Sequence, residues 1–185
     1  MRNLALIALG VLLMLAQANA FRLFSALDGV LPAAALPYVH GATPNLVLPL
    51  VVFLGVQEPS LARGAVLAFG LGYVLDVLAS APIGLFAFTY VAVWWLARMA
   101  GVRLTAQTLL PRMSLAFAFA LMEGVLVLVL LAVFGSDTRR PLEMSTVLLP
   151  RALATALFAP IVFRWVQCLH QGGVAPARGP IEARS

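Results

Sequence analysis

Residues 113–134 read MSLAFAFALMEGVLVLVLLAVF, an unbroken apolar run in which Glu123 is the sole charged side chain. A bilayer's hydrocarbon core of about 30 Å takes roughly 20 helical residues, so a run of this kind reads as a membrane-spanning helix. Five more apolar segments accompany it, at about 4–20, 45–57, 61–80, 83–100 and 146–169. Only 10% of the chain is charged, against about 25% in a soluble domain. Too few charges remain to cover a surface facing water. The fold class is therefore an all-α integral membrane protein, a bundle of about six transmembrane helices. Its polytopic domain covers 1–169, and a short Gly/Pro/Arg-rich tail over 170–185 is read as disordered and cytoplasmic.

Five of the six segments fit a spanning length. The segment 45–57 is short, which predicts a start nearer Tyr38 or a smaller tilt, with Pro44 and Pro49 complicating it. The stretch before it, GVLPAAALPYVHGATP, is apolar but broken by prolines, and reads as an interfacial loop. Ala18-Asn19-Ala20 ends the first segment with an A-x-A pattern like that of a cleaved signal peptide. The length of that run and the membrane bundle after it favour a retained first helix.

All twelve basic residues are arginines. With the N-terminus inside, Arg2, Arg63, Arg98, Arg103, Arg112, Arg164, Arg178 and Arg184 fall on the cytoplasmic side. Arg22, Arg139, Arg140 and Arg151 fall outside, with Arg151 snorkelling outward and Arg164 inward. This excess predicts both termini in the cytoplasm. The arginines form no dense patch interleaved with aromatics, so nucleic-acid binding is not expected. Cys168 is the only cysteine, and neither histidine sits in an HExxH pattern. No catalytic, cofactor-binding or metal-ligating constellation emerges, and no enzymatic activity is expected.

The third segment carries the strongest local pattern. Gly64, Ala68, Gly72, Asp76 and Ser80 recur every four residues, along one face of a helix. Small residues there allow helices to approach closely in lipid. Asp76 shares that groove and so points into protein. It lies about 6 Å along the axis from the turn at Ser80. The next helix begins near Pro82-Ile83-Gly84, where free N–H groups are natural partners for a carboxylate. Asp76 is therefore read as tying the third helix to the start of the fourth. A partner arginine or a role in binding another protein is the alternative.

Glu123 is costly at mid-span, at roughly 2.5–3.5 kcal/mol on insertion scales. It reads as a neutral carboxyl hydrogen-bonded across helices. A proton or cation relay is the sharper alternative, which the apolar character of the rest of its segment disfavours. Tyr90, Trp94 and Trp95 read as packing and interface anchors, and Pro160 as a kink.

Pro44-Asn45-Leu46, then FGLGYVLDVLAS, then Pro82-Ile83-Gly84-Leu85, and FAPIVFRW near the C-terminus together resemble the MreD family of bacterial rod-shape-determining membrane proteins. Gly72, Asp76, Pro82 and Gly84 match that family's motif, whereas Glu123 and the 22–44 region do not map onto it. The resemblance implies a fold similar to the substrate-binding subunits of energy-coupling-factor transporters. It implies a non-enzymatic scaffold in the bacterial inner membrane that binds MreC. RodA, its transpeptidase partner and MreB would form the wider elongation complex, which makes peptidoglycan. The alternative is a vitamin-type small-molecule transporter subunit, which predicts a polar pocket near the outer loops. The residues of structural or interaction interest are Gly64, Ala68, Gly72, Asp76, Pro82, Gly84 and Glu123.

Overall fold

A computed structural model describes residues 2–26, 43–79, 82–100, 109–134 and 139–172. Six helices account for nearly all of them: α1 Arg2–Ala26, α2 Val47–Gln57, α3 Leu61–Leu78, α4 Leu85–Met99, α5 Leu109–Phe134 and α6 Arg139–Gly172. No strand occurs among the described residues. The chain is an all-α membrane protein. Three spans, Leu61–Leu78, Arg112–Phe134 and Val147–Leu169, are long and apolar enough to cross a bilayer. The apolar part of α1, Leu4–Ala20, is slightly shorter, and α2 and α4 are shorter still.

The architecture is organised around α2. This helix has 11 residues, and every residue from Val47 to Gly55 is buried. It packs against all five other helices. Its apolar residues run all round the axis, as suits a helix with no lipid-facing side. Thr43, Pro44 and Asn45 just before it are not helical, so the earlier start predicted toward Tyr38 is not continuous with α2. Pro49 sits in its first turn, where a missing N–H costs little.

The other helices present one face to this centre and an apolar face to the outside. On α3, Gly64, Leu67, Ala68, Leu71, Gly72, Leu75 and Asp76 are buried, while Val66, Phe69, Tyr73 and Val77 are exposed. Apolar exposure on this scale is what lipid solvates. Gly72 shows why small residues line the buried face. A Cβ there would stand 2.5 Å from the Phe86 carbonyl oxygen and from the Ala87 Cα, both backbone atoms of α4. Gly64 is in the same position against the Trp94 ring.

α4 is shorter than the apolar segment 83–100 implies, because Pro82–Gly84 forms a turn in place of helix. Trp94 is also not the lipid-facing anchor expected. It is buried against Gly64, its indole nitrogen without a hydrogen-bond partner among the described residues, whereas its neighbour Trp95 is exposed. Position on the helix decides this: 94 falls on the face of Tyr90 and Ala97, and 95 does not. α6 runs 34 residues with Pro150 and Pro160 inside it. It continues into the region read as tail, most of which lies outside the described residues, as does Ser80.

Candidate functional site

Irregular backbone inside an apolar bundle must have its polar groups satisfied from within the protein. Two helix starts pose that problem here, one buried and one half-buried, and side chains from neighbouring helices solve both.

The first is the start of α4. Gly84 is the N-cap residue and has φ +97°. With ψ −11° this fits the third position of a type II turn, where glycine carries no Cβ penalty. The turn closes through Leu85 N–H donating to the Pro82 carbonyl at 3.1 Å. Glycine has no side chain with which to cap its own helix. Asp76 of α3 takes that part: its Oδ2 accepts the N–H of Gly84 at 3.0 Å and of Ala87 at 3.2 Å, and its Oδ1 accepts that of Phe86 at 2.7 Å. Helical bonding begins with Phe88 N–H to the Gly84 carbonyl at 2.9 Å. The four N–H groups from Gly84 to Ala87 are thus all paired. Negative charge at a helix N-terminus is further favoured by the helix dipole. The close approach at Gly72, one turn before Asp76, brings α3 near enough for these bonds.

The second is the start of α2. Asn45 N–H donates to Thr155 Oγ1 at 2.9 Å, and Leu46 N–H donates to Gln17 Oε1 at 3.2 Å. Leu48 N–H donates back to Asn45 Oδ1 at 3.2 Å. The Asn45 side chain reaches two more helices. Its Oδ1 also accepts Tyr90 O–H at 3.1 Å, and its Nδ2 donates to Glu123 Oε1 at 3.1 Å. Asn45 therefore joins α2, α4 and α5 through its buried side chain and α6 through its backbone N–H.

Glu123 is hydrogen-bonded across helices, as the sequence reading has it, and the correction concerns its neighbours. Its own segment is apolar, but Asn45 at the head of α2 donates to it and Arg151 of α6 approaches it. Arg151 does not simply snorkel away: its Nη2 lies 3.7 Å from Glu123 Oε1, with the Arg151 side chain 32% exposed and that of Glu123 3%. Such a pairing joins positions on separate helices, so no spacing along one segment reveals it. The signal available was a proline followed by asparagine at the head of a wholly apolar helix, in a chain with two further buried-looking charges.

The far end of α2 is fastened by charge. Glu58, buried after α2, pairs with Arg63 at 3.4 Å, and Arg98 donates to the carbonyls of Glu58 and Pro59 at 2.7 and 3.2 Å. Ser60 caps α3, accepting Arg63 N–H at 3.5 Å. A cavity of about 600 Å³ between α1 and α3 has only Gln17 and Thr43 as polar side chains among its lining residues, and Gln17 Oε1 is already engaged by Leu46. No group of three or more His, Cys, Asp and Glu side chains able to hold a metal occurs among the described residues.

Of the residues singled out from sequence, Gly64, Ala68, Gly72 and Asp76 lie together on the buried face of α3. Gly84 meets Asp76, and Pro82 is exposed at the turn. Glu123 belongs to the separate Asn45 cluster. The family model for the rod shape-determining protein MreD matches residues 8–172. The chain belongs to the MreD family. The match takes in all of α2 to α6 and most of α1, so both capped helix starts lie within the MreD region. No curated protein and no solved structure matches the chain.

Proposed function

We propose that this MreD-family protein is a non-enzymatic scaffold of the cell-elongation machinery. It binds MreC and works beside RodA, its transpeptidase partner and MreB to support lateral peptidoglycan synthesis. It resides in the inner membrane with both termini in the cytoplasm, so that the Asp76–Gly84 junction lies toward the outer face. The observation that carries this reading is the family match over residues 8–172. The disposition of polar groups supports it. Asp76, Asn45, Thr155 and Gln17 all serve to complete helix starts. Gly64, Ala68, Gly72, Asp76, Pro82, Gly84 and Glu123 accordingly set the shape of the binding body. The apolar outer faces are then free to meet lipid and partner helices.

Photocrosslinking residues placed at exposed positions such as Val77, Ile83 and Val133 in intact membranes test this. Recovery of MreC from one face is expected. Recovery of no elongation protein from any face of a functional, normally expressed chain would contradict the proposal.

A further inference from the structure

The seam between α5 and α6 holds a cavity of about 60 Å³, bordered by Glu123, Gly124, Val127, Leu148 and Arg151 among others. It differs in kind from the cavity of about 360 Å³ at Pro82, Phe88, Leu130 and Phe134, whose lining side chains are all apolar. Here a carboxylate and a guanidinium share the wall.

Three features of that wall bear on what fills it. The Arg151–Glu123 separation of 3.7 Å exceeds a direct hydrogen bond. Arg151 Nε is buried and has no hydrogen-bond partner among the described residues. The space itself is ample, since a water needs roughly 10–15 Å³ of free space on the same measure and two or more polar partners. Larger guests fit the chemistry less well. A phosphate would meet the Glu123 carboxylate beside the arginine, and an apolar chain would leave Nε unpaired. Polar groups held just beyond hydrogen-bond reach are commonly bridged by water at little enthalpic loss.

We propose that this cavity is a hydration site within the membrane span. Water accepts the Arg151 Nε–H and donates to the Glu123 carboxylate, completing an ion pair that the side chains do not close by themselves. The pocket is thus a place where α5 and α6 are joined through solvent.

Radiolytic hydroxyl labelling of the full chain in lipid nanodiscs, read by mass spectrometry, tests this, because bound water generates the label beside itself. Leu148 and Val127 are expected to be labelled. Val129, exposed on the lipid-facing side of the same helix, should stay at background. The label should be lost from the Glu123→Leu/Arg151→Leu double variant. Background labelling at Leu148 and Val127 in the wild type, or label unchanged in the folded double variant, would overturn the proposal. Should that variant fail to fold, Val127→Ile keeps both charged groups and fills the space. A hydration site then predicts loss of label at Leu148 and a lower Tm. Undiminished label with a raised Tm would refute it.

Discussion

Asp76 on α3 accepts the backbone N–H of Phe86 on α4 at 2.7 Å, although the two residues sit on different helices. One carboxylate thereby acts as the cap of a helix that begins with a side-chain-less glycine. Hydrogen bonds to a charged group are worth roughly 1.5–3 kcal/mol each, and here three converge on two oxygens. Replacing Asp76 with Ala strands three N–H groups and should cost about 3 kcal/mol or more. Asp76→Asn keeps one accepting oxygen but turns an amide toward donors, so its cost should lie between wild type and Ala. Thermal unfolding in detergent orders the three. A stability of Asp76→Ala equal to wild type would remove the capping account.

Gly72 and Gly84 serve the same junction by different means. Gly72→Ala puts a methyl against α4 backbone and should force α3 away, weakening all three Asp76 bonds at once. Gly84→Ala meets no atom within 4 Å, and its penalty comes from φ +97° alone. That penalty is about 1–2 kcal/mol. Combined with Asp76→Ala, Gly72→Ala should therefore be strongly non-additive, and Gly84→Ala closer to additive. A double-mutant cycle on Tm distinguishes them.

Glu123 and Arg151 should also fail to add. Removing either partner leaves a charge or a buried polar group without its mate. Each single Leu replacement should cost roughly 2–3 kcal/mol, below the 3–5 of a fully buried pair because Arg151 is part-exposed. The double Leu variant should be more stable than the sum of the two predicts. Equal and additive losses in chemical unfolding would show that the two do not interact.

Gly64 packs against the Trp94 ring, 2.5 Å from the indole nitrogen to the place a Cβ would occupy. Gly64→Val should displace the indole and cost on the order of 1–3 kcal/mol as an overpacked core. Trp94→Leu in the same chain should recover part of that loss. Tryptophan fluorescence should shift in the Val variant alone, since Trp95 and Trp165 are already exposed.

Much of the α3–α4 junction could be read from the chain because its parts are close in sequence. Gly72, Asp76 and the Pro82–Leu85 turn fall within one hairpin of helices, and a four-residue spacing places the first two on one face. The Asn45 cluster was illegible for the opposite reason. Thr155 is 110 residues from Asn45 and Glu123 is 78 away. Nothing in the apolar run around Glu123 hints at an asparagine from a distant helix start. The burial of Trp94 went unread because a tryptophan near a helix end fits an interfacial belt as well as a core. Only the groove left by Gly64 decides between them. The brevity of α2 was visible, but its cause was not. It is the central helix and never meets lipid, so no bilayer thickness sets its length.

Under the proposed function, the chain holds the rod-shape machinery together without catalysing a step. Depletion in a rod-shaped host, followed by imaging of cell width and length, tests it most directly. Cells should widen and round over successive divisions. Wild-type chain should restore the rods, and Asp76→Ala should do so less well in proportion to its loss of folded protein. Cells that keep normal width and length after the protein has gone would contradict the account.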